Sequence, residues 1–262
     1  MRCIHCNSKI GIHDLWCVEC GKQTEAIDNE LSAVNSLRDT WNQYKPFKTL
    51  NIPFASIIVL CGIIPMLLLT WLTNNLLGLE LNTIQGLITS LLVKAVIFSV
   101  FVPITLLGFT SISQNQEYCL RISDFRSSLR KYPAYLFFAI ISSIYYIVIY
   151  LICYGLPSFS ADPVLRIVWL ILVNYWIAIV LPAPMIAETQ EVGMLKAIGI
   201  SYRHLSDVRW NIYLLTLLLF LINVLGAGFA IVGLTITIPF SLFVIRDYTR
   251  KLIDFELLTY RR

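Results

Sequence analysis

Five long apolar runs limit what this chain can fold into. They cover approximately Pro53–Leu72, Ile84–Phe109, Ala134–Tyr154, Val164–Ile186 and Ile212–Ile245. An α-helix needs about twenty apolar residues to cross the hydrocarbon core of a bilayer. Charged residues make up only 14% of the chain, against about a quarter in ordinary soluble domains. The sequence therefore predicts an all-α polytopic membrane protein.

The fifth run is too long for one span. As a single helix its 34 residues would extend about 51 Å at a rise of 1.5 Å per residue. Gly226 and Gly228 lie in its middle and favour a turn. We therefore predict two helices here, Asn211–Leu225 and Phe229–Ile245, which brings the total to about six transmembrane helices.

The distribution of basic residues favours six spans over five. With the N-terminus in the cytosol, the cytosolic segments are 1–52, 111–132, 188–210 and 246–262, and they hold 18 of the 20 Lys and Arg residues. Five spans would put the last segment outside, against the positive-inside rule. The expected location is the cell (inner or plasma) membrane, with both termini cytosolic.

The stretch "CIHCNSKIGIHDLWCVECGK", residues 3–22, contains two C-x-x-C pairs. Their spacing predicts a tetrahedral site of four thiolates for a structural Zn²⁺ ion, with the ligands Cys3, Cys6, Cys17 and Cys20. Alternatives are two disulfides, a redox-active dithiol or free thiols, although a cytosolic position argues against disulfides. His5 or His13 could replace a ligand, but four thiolates already complete the shell.

The energetics of a short segment also favour a metal. Ordering about twenty residues costs roughly 30 kcal/mol at ~1.5 kcal/mol per residue, and the segment has few apolar side chains to offset this cost. A structural zinc ion contributes about 10–16 kcal/mol. The segment resembles the short zinc ribbons at the N-termini of many bacterial and archaeal proteins, which implies a structural or docking role.

The chain divides into four parts by composition. We predict a zinc ribbon at 1–23, an amphipathic linker helix at 24–50, and a six-helix membrane domain at 51–248 that includes a cytosolic amphipathic helix at 191–206. A basic cytosolic tail follows at 249–262. The linker helix is indicated by apolar residues at helical spacing, namely Ile27, Leu31, Val34, Leu37 and Trp41.

Lys94 is the one charged residue well inside a predicted span. A charge at mid-bilayer is costly and indicates a functional site. The alternative is that Lys94 lies near the boundary and extends its ammonium group to the interface. Asn174 and Asn223 are candidates to complete an intramembrane polar site with it. Prolines within the spans would suit a transporter and are also common in inert helix bundles.

Residues 182–254 combine a proline-terminated span, an acidic turn with Glu188, an A-I-x-x-S helix and a glycine-hinged hairpin, with T-I-P before a final R-D-Y. This order resembles six-helix membrane proteins related to the membrane domain of bacterial glycerophosphoryl diester phosphodiesterases. The resemblance covers about residues 50–255 and implies the fold and topology. Most of those proteins have no assigned activity, and where a phosphodiesterase is present its catalysis belongs to a separate soluble domain, which we do not expect in this chain.

Motifs for catalysis are missing from the sequence, which has no H-E-x-x-H, G-x-S-x-G or P-loop pattern. We therefore predict a non-enzymatic membrane protein whose zinc ribbon is a structural module or docks a cytosolic or membrane protein partner. The alternative is a transporter or channel for a small solute or lipid that uses the kinked bundle and Lys94. A lipid-modifying enzyme is a further alternative, whereas nucleic-acid binding is disfavoured because the basic residues form no patch.

Overall fold

The computed structural model describes residues 3, 5–9, 16–22, 31–76, 84–114, 117–154, 163–204 and 209–255. His13, the start of the linker segment and the second half of the basic tail (256–262) lie outside the described residues. The α-helices are, in chain order, α1 (Ala33–Tyr44), α2 (Ile52–Ile58), α3 (Ile64–Leu76), α4 (Ile84–Gln114), α5 (Ile122–Ser128), α6 (Tyr132–Tyr154), α7 (Pro163–Val180), α8 (Ala183–Thr189), α9 (Met194–His204), α10 (Arg209–Gly228) and α11 (Ala230–Asp254).

Five helical stretches of the described chain are long and apolar enough to cross a membrane. They are Ile52–Asn75, Gln85–Ser113, Ile122–Tyr154, Pro163–Thr189 and Trp210–Gly228. This confirms the predicted all-α polytopic membrane fold. The sixth predicted span, Phe229–Ile245, is helical as part of α11 but is not among these five. Beyond Ile245 the same helix continues into a charged segment that begins with Arg246 and Asp247.

Pro65 accounts for a local change in the first span. A proline has no N–H to donate to the carbonyl four residues earlier, and its ring crowds that carbonyl. The chain widens directly before it into a π-helical turn at Val59–Ile63, which joins α2 to α3. Such turns interrupt the regular hydrogen-bond pattern of an α-helix over one turn. Pro103 and Pro239, by contrast, lie within continuous α4 and α11.

The hairpin of α10 and α11 depends on a close glycine–glycine contact. The N–H of Phe229 donates to the carbonyl of Gly226 at 3.1 Å and closes the turn. Farther along the pair, Asn223 Nδ2 donates to Ser241 Oγ at 2.8 Å. A Cβ atom added at Gly233 would lie 2.1 Å from the carbonyl oxygen of Gly226. Only a residue without Cβ lets the two backbones approach this closely.

We expect Gly233→Ala to destabilise the hairpin. The new methyl group would meet backbone atoms that cannot rotate away, so the two helices would have to separate, and overpacking of this kind costs typically about 1–3 kcal/mol. The midpoint of thermal unfolding in detergent measures the effect. Gly228→Ala is the matched control, because a Cβ there meets no atom within 4 Å. Equal midpoints for the two variants would contradict the role given to Gly233.

α1 is an amphipathic helix, but the face that it buries differs from the predicted apolar stripe. The helix buries Ala33, Ser36, Thr40 and Tyr44. In the predicted stripe, Leu31 is buried just before the helix begins, whereas Val34 and Trp41 are exposed. Thr40 and Tyr44 can be buried because their hydroxyl groups form hydrogen bonds to α11. The exposed apolar side chains of α1 lie beside the α10–α11 hairpin.

The segment predicted as a cytosolic amphipathic helix at 191–206 contains α9. Its face with Met194, Ala197, Ile200 and Ser201 is buried. The Ser201 hydroxyl donates to the carbonyl of Ile179 near the end of α7. The inner face of this helix is therefore covered by protein.

Candidate metal centre

The first C-x-x-C pair forms a tight backbone loop. The N–H of Cys3 donates to the carbonyl of Ser8 at 2.9 Å, and the N–H of Asn7 donates back to the carbonyl of Cys3 at 2.8 Å. Asn7 has a φ of 59°, a left-handed conformation that Asn tolerates better than most residues. This loop brings Cys3 and Cys6 to one side of the backbone.

The second pair repeats the same geometry. The N–H of Cys17 donates to the carbonyl of Lys22 at 2.9 Å, and the N–H of Gly21 donates to the carbonyl of Cys17 at 2.8 Å. Gly21, at the position equivalent to Asn7, has a φ of 65°. Glycine adopts this conformation without steric cost. The two loops are thus equivalent in their backbone hydrogen bonds.

The four thiols meet between the two loops. Their Sγ atoms all lie within 4.8 Å of one another, with Cys3 and Cys20 3.6 Å apart and Cys6 and Cys17 3.4 Å apart. Four sulfur ligands at about 2.3 Å from a tetrahedral ion would be about 3.8 Å from each other. A disulfide would place two sulfurs about 2.05 Å apart. The four cysteines could therefore hold one metal ion.

Ser8 supports the thiolate form of the ligands. Its hydroxyl lies 3.0 Å from Cys17 Sγ and 3.0 Å from Cys6 Sγ. The hydrogen bond from Ser8, with help from the backbone N–H of Cys20, lowers the pKa of Cys17 to about 6. The thiolate is the form that binds metals, so this environment favours Cys17 as a ligand, whereas burial and the neighbouring thiols raise the pKa of Cys20 to about 12.

His5 does not belong to the thiol cluster through its ring. It is exposed, and it contributes its backbone N–H, which lies 3.4 Å from Cys3 Sγ. Hydrogen bonds of this kind orient metal ligands and stabilise their negative charge.

The three residues of the predicted intramembrane polar site lie in different surroundings in the structure. Asn174 on α7 donates to the carbonyl of Tyr213 at 3.4 Å and accepts from Thr216 at 3.2 Å, so it ties α7 to α10. Asn223 bonds within the α10–α11 hairpin. Lys94 lies half-buried on α4, and no hydrogen bond or ion pair of its side chain is found among the described residues. Each asparagine thus has a structural hydrogen bond of its own.

One polar cluster that the sequence analysis did not assign joins α11 to the chain before α5. Asp247 accepts hydrogen bonds from Thr40 at 3.1 Å, from Tyr118 at 2.7 Å and from Arg246 Nε at 2.9 Å. The Arg246 guanidinium is buried and lies 4.5 Å from the centre of the Tyr118 ring and 4.8 Å from that of Phe243. Burial and the hydrogen bond to Asp247 raise the pKa of Tyr118 to about 12, so its hydroxyl remains a donor at neutral pH.

A second such cluster surrounds Glu188. Its Oε1 accepts hydrogen bonds from Thr110 at 3.0 Å and from Tyr135 at 3.1 Å, and its Oε2 lies 3.6 Å from the ammonium group of Lys131. The Glu188 side chain is nearly buried, whereas Lys131 is half-exposed. The cluster connects the ends of α4 and α8 with the start of α6. In the sequence, both clusters could have been recognised only by a charged residue directly after an apolar run, namely Glu188 and Arg246.

Comparison of the chain with models of protein families, with curated proteins and with solved structures finds no match. The resemblances to zinc ribbons and to the membrane domain of glycerophosphoryl diester phosphodiesterases therefore stay predictions. Inferences about function must come from the geometry of the chain itself.

Proposed function

We propose that this chain is a non-enzymatic multi-pass membrane protein whose N-terminal Cys₄ module binds one structural zinc ion and docks a protein partner. The convergence of four thiols at tetrahedral spacing is the observation that carries the proposal. Among common biological metals, a tetrahedral all-sulfur site suits zinc or iron. Zinc is favoured because single closed Cys₄ sites of paired C-x-x-C loops are typical of structural zinc.

The contacts of the helix bundle support a cytosolic position for the module. α1, which follows the module, contacts the charged end of α11 through Thr40 and Asp247 at 3.1 Å and through Asp39 and Lys251 at 3.4 Å. The segment around Tyr118 joins the same cluster. These contacts bring three chain segments together at one end of the bundle. The positive-inside rule assigns all three segments to the cytosol.

The surface of the module supports a docking role. Val18 in the second loop is 94% exposed and Trp16, just before it, is 40% exposed. Among the described residues of the module, only the ligands Cys3 and Cys17 are buried. Aromatic residues are enriched in protein interfaces. Val18 and Trp16 would thus offer an apolar contact to a cytosolic or membrane protein, with the bilayer as the second partner of the chain.

A partner capture experiment tests this function with the full chain in mild detergent. We expect Val18→Asp to retain zinc and to lose the partners that wild type captures, because a carboxylate in an apolar contact is costly. The double substitution of Cys17 and Cys20 by serine should lose both zinc and partners. Lys22→Gln, at another exposed position of the same loop, is the control and should behave as wild type. Identical partners for all four proteins would contradict the docking role.

The alternative function, transport that uses Lys94, has less support from the geometry. Asn174 and Asn223 are engaged in helix-to-helix contacts, and the groove described below is lined by other residues.

A further inference from the structure

α1 packs against the α10–α11 hairpin. The two faces of α1 contact different parts of this hairpin. On one face, Asp39 and Thr40 contact the charged end of α11. On the other, the Trp41 ring packs edge-on against Phe240 with the ring centres 5.4 Å apart. Between them Tyr44 is buried, and its hydroxyl donates to the carbonyl of Ile236 at 3.1 Å. The polar face of α1 is thus directed to the charged end of the bundle and its apolar face to the hairpin.

An open groove of about 780 Å³ lies between this apolar face and the hairpin. Its volume is within the range of roughly 300–1,000 Å³ that is usual for ligand sites. The walls are almost entirely apolar and include Val34, Leu37 and Trp41 from α1 and Leu225, Phe229 and Val232 from the hairpin. Leu225, Phe229 and Val232 are each more than 60% exposed, so the rest of the described chain does not fill the groove.

The surroundings of the groove indicate what fills it. Leu225 belongs to Trp210–Gly228, a stretch that is long and apolar enough to cross a membrane, and its side chain is exposed. In a bilayer this wall of the groove would face the hydrocarbon. A membrane span is in contact with lipid chains wherever protein does not cover it. An acyl chain is therefore the occupant whose chemistry matches the walls.

Arg38 adds a charge to the groove on the α1 side. It lines the groove and its side chain is exposed. A cation beside an apolar surface attracts the phosphate of an anionic lipid. The groove therefore offers a phospholipid both an apolar wall for its chain and a cation for its phosphate.

We propose that the groove between α1 and the α10–α11 hairpin binds one anionic phospholipid, with an acyl chain along Leu225 and Phe229 and the phosphate beside Arg38. The bound lipid fills the space between the two elements and thereby holds α1 against the hairpin. This site does not depend on the metal centre, so the two proposals can fail separately.

Native mass spectrometry of the delipidated full-length chain tests the site, with phosphatidylglycerol and phosphatidylcholine of identical acyl chains as probes. We expect wild type to bind the first phosphatidylglycerol molecule more tightly than any molecule that binds after it. Leu225→Trp should weaken this first binding step about ten-fold, because the larger ring occupies the groove. Arg38→Gln should reduce the preference for phosphatidylglycerol over phosphatidylcholine about five-fold, as expected for one cation near the membrane surface.

Two control variants separate the groove from the rest of the lipid-facing surface. Leu217→Trp places the same ring on an exposed part of α10 outside the groove, and Arg203→Gln removes an exposed cation from α9. Both should bind the first lipid as wild type does. The proposal is overturned if Leu225→Trp and Leu217→Trp have the same first binding constant, or if Arg38→Gln keeps the lipid preference of wild type. Because Leu225 and Arg38 are exposed, both test variants should keep the unfolding midpoint of wild type.

Discussion

Removal of the metal is expected to unfold residues 3–22 while the helical bundle stays folded. Among the described residues of this segment, only Cys3 and Cys17 are buried, whereas Trp16 and Val18 are exposed. Without an ion, nothing would hold the four thiols together, and the binding energy of about 10–16 kcal/mol would be lost.

Elemental analysis and limited proteolysis of the purified chain measure this effect. We expect one zinc ion per chain, and rapid cleavage within residues 3–22 after treatment with a strong zinc chelator. Cys17→Ser should lose zinc without chelator. Cys119→Ser is the control, since Cys119 lies outside the thiol cluster, and it should keep the ion. A metal-free chain with a protease-resistant N-terminus would show that this account of the module is wrong.

The second large effect is expected for Asp247→Ala. This carboxylate accepts a hydrogen bond from Arg246, whose side chain is only 1% exposed, and it also accepts bonds from Thr40 and Tyr118. Its removal takes the counter-charge from a buried guanidinium, which costs typically about 3–5 kcal/mol. It also removes the acceptor that holds α1 to α11. We expect a large fall in the midpoint of thermal unfolding in detergent.

Two further variants of α11 identify the cause of this loss of stability. Asp247→Asn keeps an oxygen acceptor but removes the charge, so its loss of stability should be intermediate. Asp254→Ala removes an exposed carboxylate at the end of the same helix and should leave the midpoint nearly unchanged. If Asp247→Ala were no less stable than Asp254→Ala, the cluster around Arg246 would have no part in holding the bundle together.

Hydropathy was sufficient to predict the helical membrane fold, because about twenty apolar residues in a row have few alternatives to a membrane span. The cysteine spacing likewise identified the side chains that meet in the thiol cluster. The buried face of α1 could not be predicted in this way. Its apolar stripe indicated one face, but Thr40 and Tyr44 are buried on another because their partners on α11 are about two hundred residues away in sequence.

The same limit applies to the charged groups. Arg246 follows the last apolar run and was assigned to a cytosolic segment by its charge alone. In the structure it is buried between the rings of Tyr118 and Phe243. Periodicity within one helix carries no information about a ring or a carboxylate that another part of the chain supplies. The Arg-Asp pair directly after Ile245 was the one local signal of this cluster.

The contact between α1 and α11 has a consequence for biosynthesis. Thr40 and Asp247 are separated by 207 residues, so α1 leaves the ribosome long before its partner helix exists. Domains generally fold as units during synthesis, yet here α1 cannot make its contacts with α11 until that last helix has been synthesised. Release of α11 would therefore be the step that completes the bundle, and a nascent chain halted before Asp247 should leave α1 accessible to protease.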